Sequence, residues 1–356
     1  MSGSTAAGGS VKPMPRELNI LFTCAGRRVA LLNCFRRSMR KLDIRGKLLA
    51  TDITPASSAF QSADEGIIVP RVDDDSYIPA LLELIESREI GLIVPTTDRD
   101  LMVLADEQQR FADVDCTVMI GSPDAIAMCR DKLRTPEAFE RAGLAEVRTV
   151  DYAAFVAEPF YPVFCKPAGG SGGQGSAVVR DEQQLNALLA MQGKESVESR
   201  YVFQQYFSGR EYTIDVYRTR DGRVVSVVPR QRLEVRSGEV QQAVTVRDAE
   251  LIDSARRLGE SFEGIWGVFC CQCRRADGDR PRFFEINPRF GGGAPLSIAA
   301  GADLPGYLMR EVLGEPVGDE VGEFTENLLM LRYDDALFVP ADDPESLPGF
   351  DEPIFR

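Results

Sequence analysis

FFEINPRFGGG, residues 283–293, is the stretch on which the reading of the fold turns. Phe283 and Phe284 lead into Glu285, Asn287 and Arg289 at a spacing of two, and side chains alternate faces along a strand. Read as a strand, the segment presents all three on one side. A carboxylate beside an amide oxygen is a pair of hard ligands suited to Mg²⁺, and an arginine next in the row suits a phosphate that already carries such an ion. The same residues also read as a half-buried strand running into a Pro-Gly loop, so the surrounding chain has to decide.

At 356 residues the chain is long enough for two or three domains with large cores. Hydrophobic residues make up 44% and charged residues 27%, the balance of an ordinary globular protein. Its 41 Lys and Arg against 55 Asp and Glu give a net charge of −14, which argues against non-specific nucleic-acid binding. An anionic substrate then needs a local basic pocket. No apolar run approaches the roughly 20 residues of a membrane span, and the opening MSGSTAAGGSVKPMP lacks the apolar core of a signal peptide. Residues 1–16 read as a flexible leader. The cysteines at 24, 34, 116, 129, 165, 270, 271 and 273 form no CxxC pair and read as reduced and structural, in keeping with the cytoplasm. Histidine is absent, which removes Ser-His-Asp and Cys-His nucleophiles, His-ligated zinc and histidine bases together.

In chain order, LNILFTCA closed by Gly26, then KLLATDIT, EGIIVP, GLIVPTT and CTVMIGS read as buried strands separated by helical stretches. Such alternation predicts a doubly wound parallel sheet over residues 17–121. TCAGRRV has one glycine where a dinucleotide fingerprint needs three, so that glycine reads as a simple turn. Asp98 to Asp100 follow the fourth strand, where open α/β sheets place ligands, and read equally as a helix cap. From Ser122 the character changes: Ser122-Pro123 starts one helix and Thr135-Pro136 a second, with Lys132 where they meet.

Lys166 then sits in an apolar strand before a loop with glycines at 169, 170, 172, 173 and 175, and a strand resumes after it. Backbone N–H groups of such a hairpin can approach phosphate oxygens closely, and the lysine adds charge. The loop returns to a strand and lacks GK[ST], so it is no P-loop. QQYFSGREYTIDV follows, with Glu211, Thr213 and Asp215 alternating with apolar residues, so that one face is polar. Residues 223–235 read as the next strand, carrying Arg230 and Arg232 with Arg236 just beyond. After a helix from about Asp248 to Phe262, VFCCQCRR and the opening stretch form a hairpin about Asp277-Gly278-Asp279, which turns Gln272 to the side of Glu285.

This order of parts resembles the ATP-grasp superfamily, in particular the carbamoyl-phosphate synthetase large-subunit branch and related carboxylate-amine ligases such as the pyrrolysine-biosynthesis ligase. The resemblance covers about residues 18–315. It implies an α/β and α+β architecture: a Rossmann-like pre-ATP-grasp domain at 17–121, a two-lobed grasp domain at 122–315 (small lobe about 122–200, large lobe about 201–315) and an extension at 316–356. It also implies that Lys132 and Lys166 contact ATP phosphates beneath Gly169, Gly170, Ser171, Gly172 and Gly173. Gln204, Gln205, Tyr206 and Phe207 resemble the adenine hinge, and Glu211 the ribose-binding acid. Gln272, Glu285 and Asn287 resemble the ligands of Mg²⁺ or Mn²⁺, with Arg289 on the transferring phosphoryl group. Two departures are the neutral Gln205, where the hinge usually has Glu, and the amide of Gln272 in place of a second metal carboxylate. The chain holds one grasp module, so full carbamoyl-phosphate synthesis is not expected.

The expected activity is attack of a carboxylate on the γ-phosphoryl of MgATP to give an acyl phosphate and ADP, then displacement of phosphate by an amine. Phosphoryl transfer needs alignment and charge neutralisation more than proton abstraction, which suits a chain without histidine. An acyl phosphate hydrolyses in water, so the glycine loop is expected to act as a lid. Arg230, Arg232 and Arg236 are candidates for the substrate carboxylate, or simply charges on a solvated strand. Asp215 would meet an amino group or pair with one of those arginines, and Gly292 would border the acceptor. The partners are then small-molecule carboxylate and amine substrates, not nucleic acid or membrane. Two alternatives stay open: bicarbonate activation to carboxyphosphate, and a non-catalytic ATP-binding protein that presents a surface to a partner. The tail beyond Gly318 would pack on the grasp domain or on a second copy in a homodimer.

Overall fold

The computed structural model describes residues 16–169, 175–236 and 238–340. The apolar runs of the first third form a parallel sheet of five strands. Their spatial order is Glu65–Ile68, Leu48–Asp52, Asn19–Thr23, Ile90–Pro95 and Thr117–Val118, so the first strand in sequence is central and the winding reverses beside it. This is the doubly wound arrangement expected. At its switch point, the C-terminal ends of Asn19–Thr23 and Ile90–Pro95 place Arg28 and Asp98 on one edge of the domain. The helix Val29–Lys41 buries Leu31, Leu32, Phe35 and Met39 along one stripe.

Between residues 145 and 205 a small antiparallel sheet has the order Ala177–Val179, Val163–Pro167, Tyr201–Gln205 and Thr149–Val150. The first two strands pair through Cys165 and Ala177 and so flank the glycine loop. Phe155 stacks on Phe203 at 4.6 Å between ring centroids and heads the apolar cluster under this sheet.

A larger sheet of seven strands runs Leu329–Leu331, Glu239–Thr245, Val224–Arg236, Arg210–Arg218, Gly267–Arg275, Arg282–Asn287 and Ala145–Glu146. The amphipathic helix Ala249–Ser261, capped by Asp248, covers one face of it. One element was not legible: Glu239–Thr245 pairs back on Val224–Arg236 in a long hairpin. Leu329–Leu331, within the stretch ENLLMLRY that reads as a strand, pairs with Glu239–Thr245 to extend the same sheet. The tail as far as Leu331 therefore packs on the large sheet, with Val317 and Phe324 buried.

The first domain and the large-sheet unit are tied together by apolar contacts. Phe35 of the first domain sits edge-on between Phe22 at 4.9 Å and Phe290 at 5.5 Å. Phe290 belongs to the opening stretch and is 1% exposed, so the segment that carries the site is anchored in the first domain's core. The helix Leu304–Val312 packs on Val29–Lys41 in the same cluster, where Ser38 donates to Asp303 at 2.5 Å and Lys41 pairs with it at 3.1 Å.

Two sequence expectations need correction here. The strand Arg282–Asn287 stops before Arg289: Pro288 offers no N–H to the ladder, and Arg289 N–H turns back to the Asn287 carbonyl at 2.9 Å. The polar face of Arg210–Arg218 does not meet water either. Thr213 is 6% exposed, and Asp215 is fully buried where Gly291 and Ser297 pack against it.

Candidate active site

Gln272 and Glu285 are directly opposed in the hairpin Gly267–Arg275/Arg282–Asn287. Asn287, two residues on, donates through Nδ2 to Glu285 Oε1 at 2.9 Å, and its Oδ1 lies 3.4 Å from Arg289 Nη2. One carboxylate and two amides thus share a face. Among the described residues no group of three or more acidic, Cys or His side chains is placed to hold a metal. The set fits a divalent cation that brings phosphate oxygens with it better than a bare one, since a single carboxylate neutralises only half its charge.

Arg289 is held from the first domain. Its Nε and Nη2 donate to the two Asp98 oxygens at 2.8 and 2.7 Å, across 191 positions of sequence. Burial alone would raise the Asp98 carboxyl; the guanidiniums of Arg289, Arg130 and Arg28 outweigh it and hold it below the usual carboxylate range. Burial opposes the Arg289 charge as well, and Asp98 more than restores it. Asp98 is therefore an ion-pair partner and no cap. Asp100, at the cap position of Leu101–Asp106, makes no capping bond and is buried against the Tyr77 hydroxyl at 3.4 Å.

The small sheet contributes Lys166, 6% exposed, whose Nζ donates to Gln204 Oε1 at 3.1 Å and lies 5.8 Å from the Phe284 ring centroid across the cleft. Burial pushes its pKa down to about 8; Glu285 opposes the shift, and Lys132 adds to it. Lys132 follows the helix Pro123–Arg130, reaches across to the Ala168 carbonyl at 2.7 Å, and has its pKa lowered by burial against the pull of Glu285. Both lysines thus face the Glu285 carboxylate from the opposite lobe. The two ammonium groups lie within electrostatic reach of each other.

Gln204 bridges Lys166 to the Thr149 hydroxyl at 2.9 Å, while Gln205 is exposed and Tyr206 and Phe207 are half-buried at the hinge between the sheets. Glu211 is gripped by Arg232 at 2.5 Å and Arg274 at 2.6 Å. Gly169 has open space where a side chain would be; Gly170, Ser171, Gly172 and Gly173 lie outside the described residues.

The arginines expected to bind a carboxylate do not act as one row. Arg230 and Asp215 form a fully buried bidentate pair at 2.7 and 3.0 Å, and Ser297 adds a third bond to Asp215 at 2.5 Å. Arg232 is committed to Glu211, and Arg236, 74% exposed beyond a bulge, pairs with Glu234. Internal carboxylates on the neighbouring strand claim the first two. Gly292 lies beside Arg28 and Glu239, which the sequence reading passed over: a Cβ there would meet Glu239 Oε2 at 2.1 Å and Arg28 Nη1 at 2.9 Å. A Cβ at Gly293 would meet Arg230 Nη1 at 2.1 Å. That close approach of side chains to backbone is why the run is glycine. An unexplained Gly-Gly-Gly was the available signal for charged neighbours.

Three family models match the chain, two of them overlapping. Residues 20–119 match "PylC-like, N-terminal domain", 128–260 match "Carbamoyl-phosphate synthase L chain, ATP binding domain", and 198–335 match "ATP-grasp in the biosynthetic pathway with Ter operon". The chain belongs to the ATP-grasp superfamily. Among curated relatives of this ATP-grasp chain, the arginine-specific carbamoyl phosphate synthase large chain of Geobacillus stearothermophilus is 29% identical over 220 residues, 59% of this chain and 20% of that one. The large chain of Clostridium botulinum strain Alaska E43 is 21% identical over 306 residues, 82% of this chain and 28% of that one. The chain thus spans between a fifth and three tenths of the length of these relatives. Among solved structures, the biotin carboxylase domain of Hydrogenobacter thermophilus 2-oxoglutarate carboxylase, in complex with MgADP and bicarbonate, has a TM-score of 0.68 at 18% identity, covering 87% of this chain and 73% of its own. Staphylococcus aureus N5-carboxyaminoimidazole synthetase complexed with ADP gives 0.66 at 17%, covering 86% and 80%. The ATP-grasp fold therefore extends over the N-terminal domain and both lobes.

Proposed function

We propose that this chain is an ATP-dependent carboxylate-amine ligase. It activates a carboxylate as an acyl phosphate with MgATP and joins it to an amine, releasing ADP and phosphate. The observation that carries the reading is the convergence of Lys132 and Lys166 from one lobe upon Glu285, with Asn287 and Arg289 beside it, across a cleft. Two crowded cations opposite a hard-oxygen face suit a polyphosphate with its metal lying between them.

In this reading Gln272, Glu285 and Asn287 hold Mg²⁺, or Mn²⁺ in its place, and the ion when bound neutralises charge on the transferring phosphoryl group. Lys166 and Lys132 hold the phosphate oxygens, and Arg289, aligned by Asp98, meets the phosphoryl group from the acceptor side. Gln204 keeps Lys166 aimed into the cleft. The backbone of Gln205, Tyr206 and Phe207 holds adenine, and Glu211, held in place by Arg232 and Arg274, turns its remaining lone pairs to the ribose. Asp215 and Arg230 position the loop and do not touch substrate.

Bicarbonate activation is the second reading, favoured by the similarity to carbamoyl phosphate synthase large chains. The cytoplasm is the compartment we assign, supported by eight unpaired cysteines, seven of them buried; no described helix is long and apolar enough to cross a membrane. Pairing of two copies in a homodimer is supported by the open edge strand Leu329–Leu331 and the exposed Tyr333 and Phe338, and is tested by sedimentation. The deciding experiment is ADP release with MgATP and pools of carboxylic acids and amines, with mass spectrometry of the products. An acid-dependent rate with a condensed product, reduced about 10²-fold or more in Glu285→Ala, supports the ligase. A bicarbonate-dependent rate needing no organic acid supports the second reading. Tight ATP binding with neither response overturns both.

A further inference from the structure

Several arginines from separate parts of the chain gather at one place. Arg28 from the first domain and Arg332 from the tail reach Glu239 from two sides, at 3.3 and 3.7 Å, above the Gly292 backbone. Arg332 also donates to the Gly292 carbonyl. Arg230 and Arg289 adjoin them, each already neutralised by its own bidentate carboxylate. Arg27, exposed at the mouth, has no ion pair among the described residues and lies within electrostatic reach of Arg332.

Five arginines therefore face three carboxylates, Asp98, Asp215 and Glu239. The excess is two positive charges, in a chain whose net charge is −14. Arg28 and Arg332 are partly buried, with side-chain exposures of 19% and 31%, so water screens them incompletely. Burial lowers the pKa of both, and each is further lowered by neighbouring guanidiniums. The helix Val29–Lys41 also begins here without a side chain capping its first N–H groups, and its positive end adds to the field.

We propose that this cluster is the acceptor subsite of the ligase and that the acid it activates is a dianion. One carboxylate lies toward Arg289, where the phosphoryl group arrives, and a second anionic group, carboxylate or phosphate, is held by Arg28 and Arg332. Glu239 sits between the two guanidiniums and gives way when substrate binds. The step balances as before: a carboxylate oxygen forms a bond to the γ-phosphorus, the bond to the ADP oxygen breaks, and amine attack on the acyl carbon then expels phosphate and loses a proton. The inference rests on the ligase reading for the role of the site, but the charge match can be measured without catalysis.

The test is calorimetric titration of the full chain with MgADP present, using matched probes: butyrate against succinate, pentanoate against glutarate, and glycolate against 2-phosphoglycolate. At least one dianion should bind tenfold or more tightly than its monoanionic partner. Arg28→Gln and Arg332→Gln should each remove that advantage, and Glu239→Gln should increase it. A 2-phosphoglycolate preference over both diacids would identify the second group as phosphate; the reverse would identify it as carboxylate. Equal binding of both members of every pair, binding by neither, or an undiminished advantage in the arginine variants overturns the proposal. Should the glutamine variants fail to fold, Arg28→Lys and Arg332→Lys keep the charge and lose the bidentate fork, and should weaken dianion binding partly. ADP release measured in parallel separates the two readings. Dianion binding without any acid-dependent ADP release leaves the subsite standing and sinks the ligase, whereas release driven equally by monoanions does the opposite.

Discussion

Lys166→Met should make the protein more stable and unable to use ATP. The side chain is 6% exposed, and burial takes its pKa from 10.5 down to about 8. At roughly 1.4 kcal/mol per pH unit, that gap corresponds to about 3 kcal/mol of penalty for keeping the ammonium charged inside the fold. The direction with pH follows from the protons bound. Between about pH 8 and 10.5 the unfolded chain holds a proton at this lysine that the folded chain has released, so stability rises through that window. Below pH 8 the whole penalty is present. Methionine removes it but leaves Gln204 without its donor, costing about 1 kcal/mol, so the expected net gain at pH 7 is about 2 kcal/mol. Guanidinium unfolding of both proteins at pH 7, 8, 9 and 10, without nucleotide, measures it. The difference should shrink steadily above pH 8, and adding MgATP should stabilise the wild type alone. A methionine variant less stable than wild type at pH 7, or a difference that does not change with pH, would refute the reasoning.

Asp98→Asn should free Arg289 from its bidentate partner and lower the rate of ADP release by tenfold or more while nucleotide affinity changes little, read from a kcat loss at unchanged ATP KM. Asp215→Ala leaves Arg230 charged and buried and should cost about 3 to 5 kcal/mol in chemical unfolding, whereas Asp215→Leu with Arg230→Met should return most of it, since replacing a whole buried pair is near neutral. Gly293→Ala puts a methyl 2.1 Å from Arg230 Nη1, which is held by Asp215 and cannot retreat. About 1 to 3 kcal/mol of destabilisation is expected from thermal melts. The same change at Gly292 should be milder in stability, because Glu239 and Arg28 are flexible ends that can swing aside.

Much of the architecture was legible because local patterns carried it. Strand-helix alternation in the first third, Ser122 and Asp248 at helix starts, and the Asp277-Gly278-Asp279 turn each act within a few residues, and each corresponds to an element observed. The hairpin itself was readable for the same reason, but not its register: a bulge between Gln272 and Cys273 shifts the pairing by one and puts Glu285, not Phe284, opposite Gln272. The strand Glu239–Thr245 was missed because EVQQAVT mixes polar and apolar residues, and its partner strands bury both sides unevenly.

The pattern of charges was the least legible part. Arg230, Arg232 and Arg236 look alike in sequence, yet one is buried against Asp215, one is clamped on Glu211 and one lies in solvent. The sequence by itself determined which chemistry is open to this protein: no histidine, the lysines, carboxylate and amide at 132, 166, 285 and 287 on which the proposed metal and phosphate roles rest, and a sheet type for each region. The tertiary structure alone decided which charges are spent on one another. Asp98 finds Arg289 across 191 residues, and Arg28, Glu239 and Arg332 meet from three parts of the chain. Ion pairing acts through space over a few ångströms and leaves no periodicity along the chain, so only folding reveals which charge remains for a substrate.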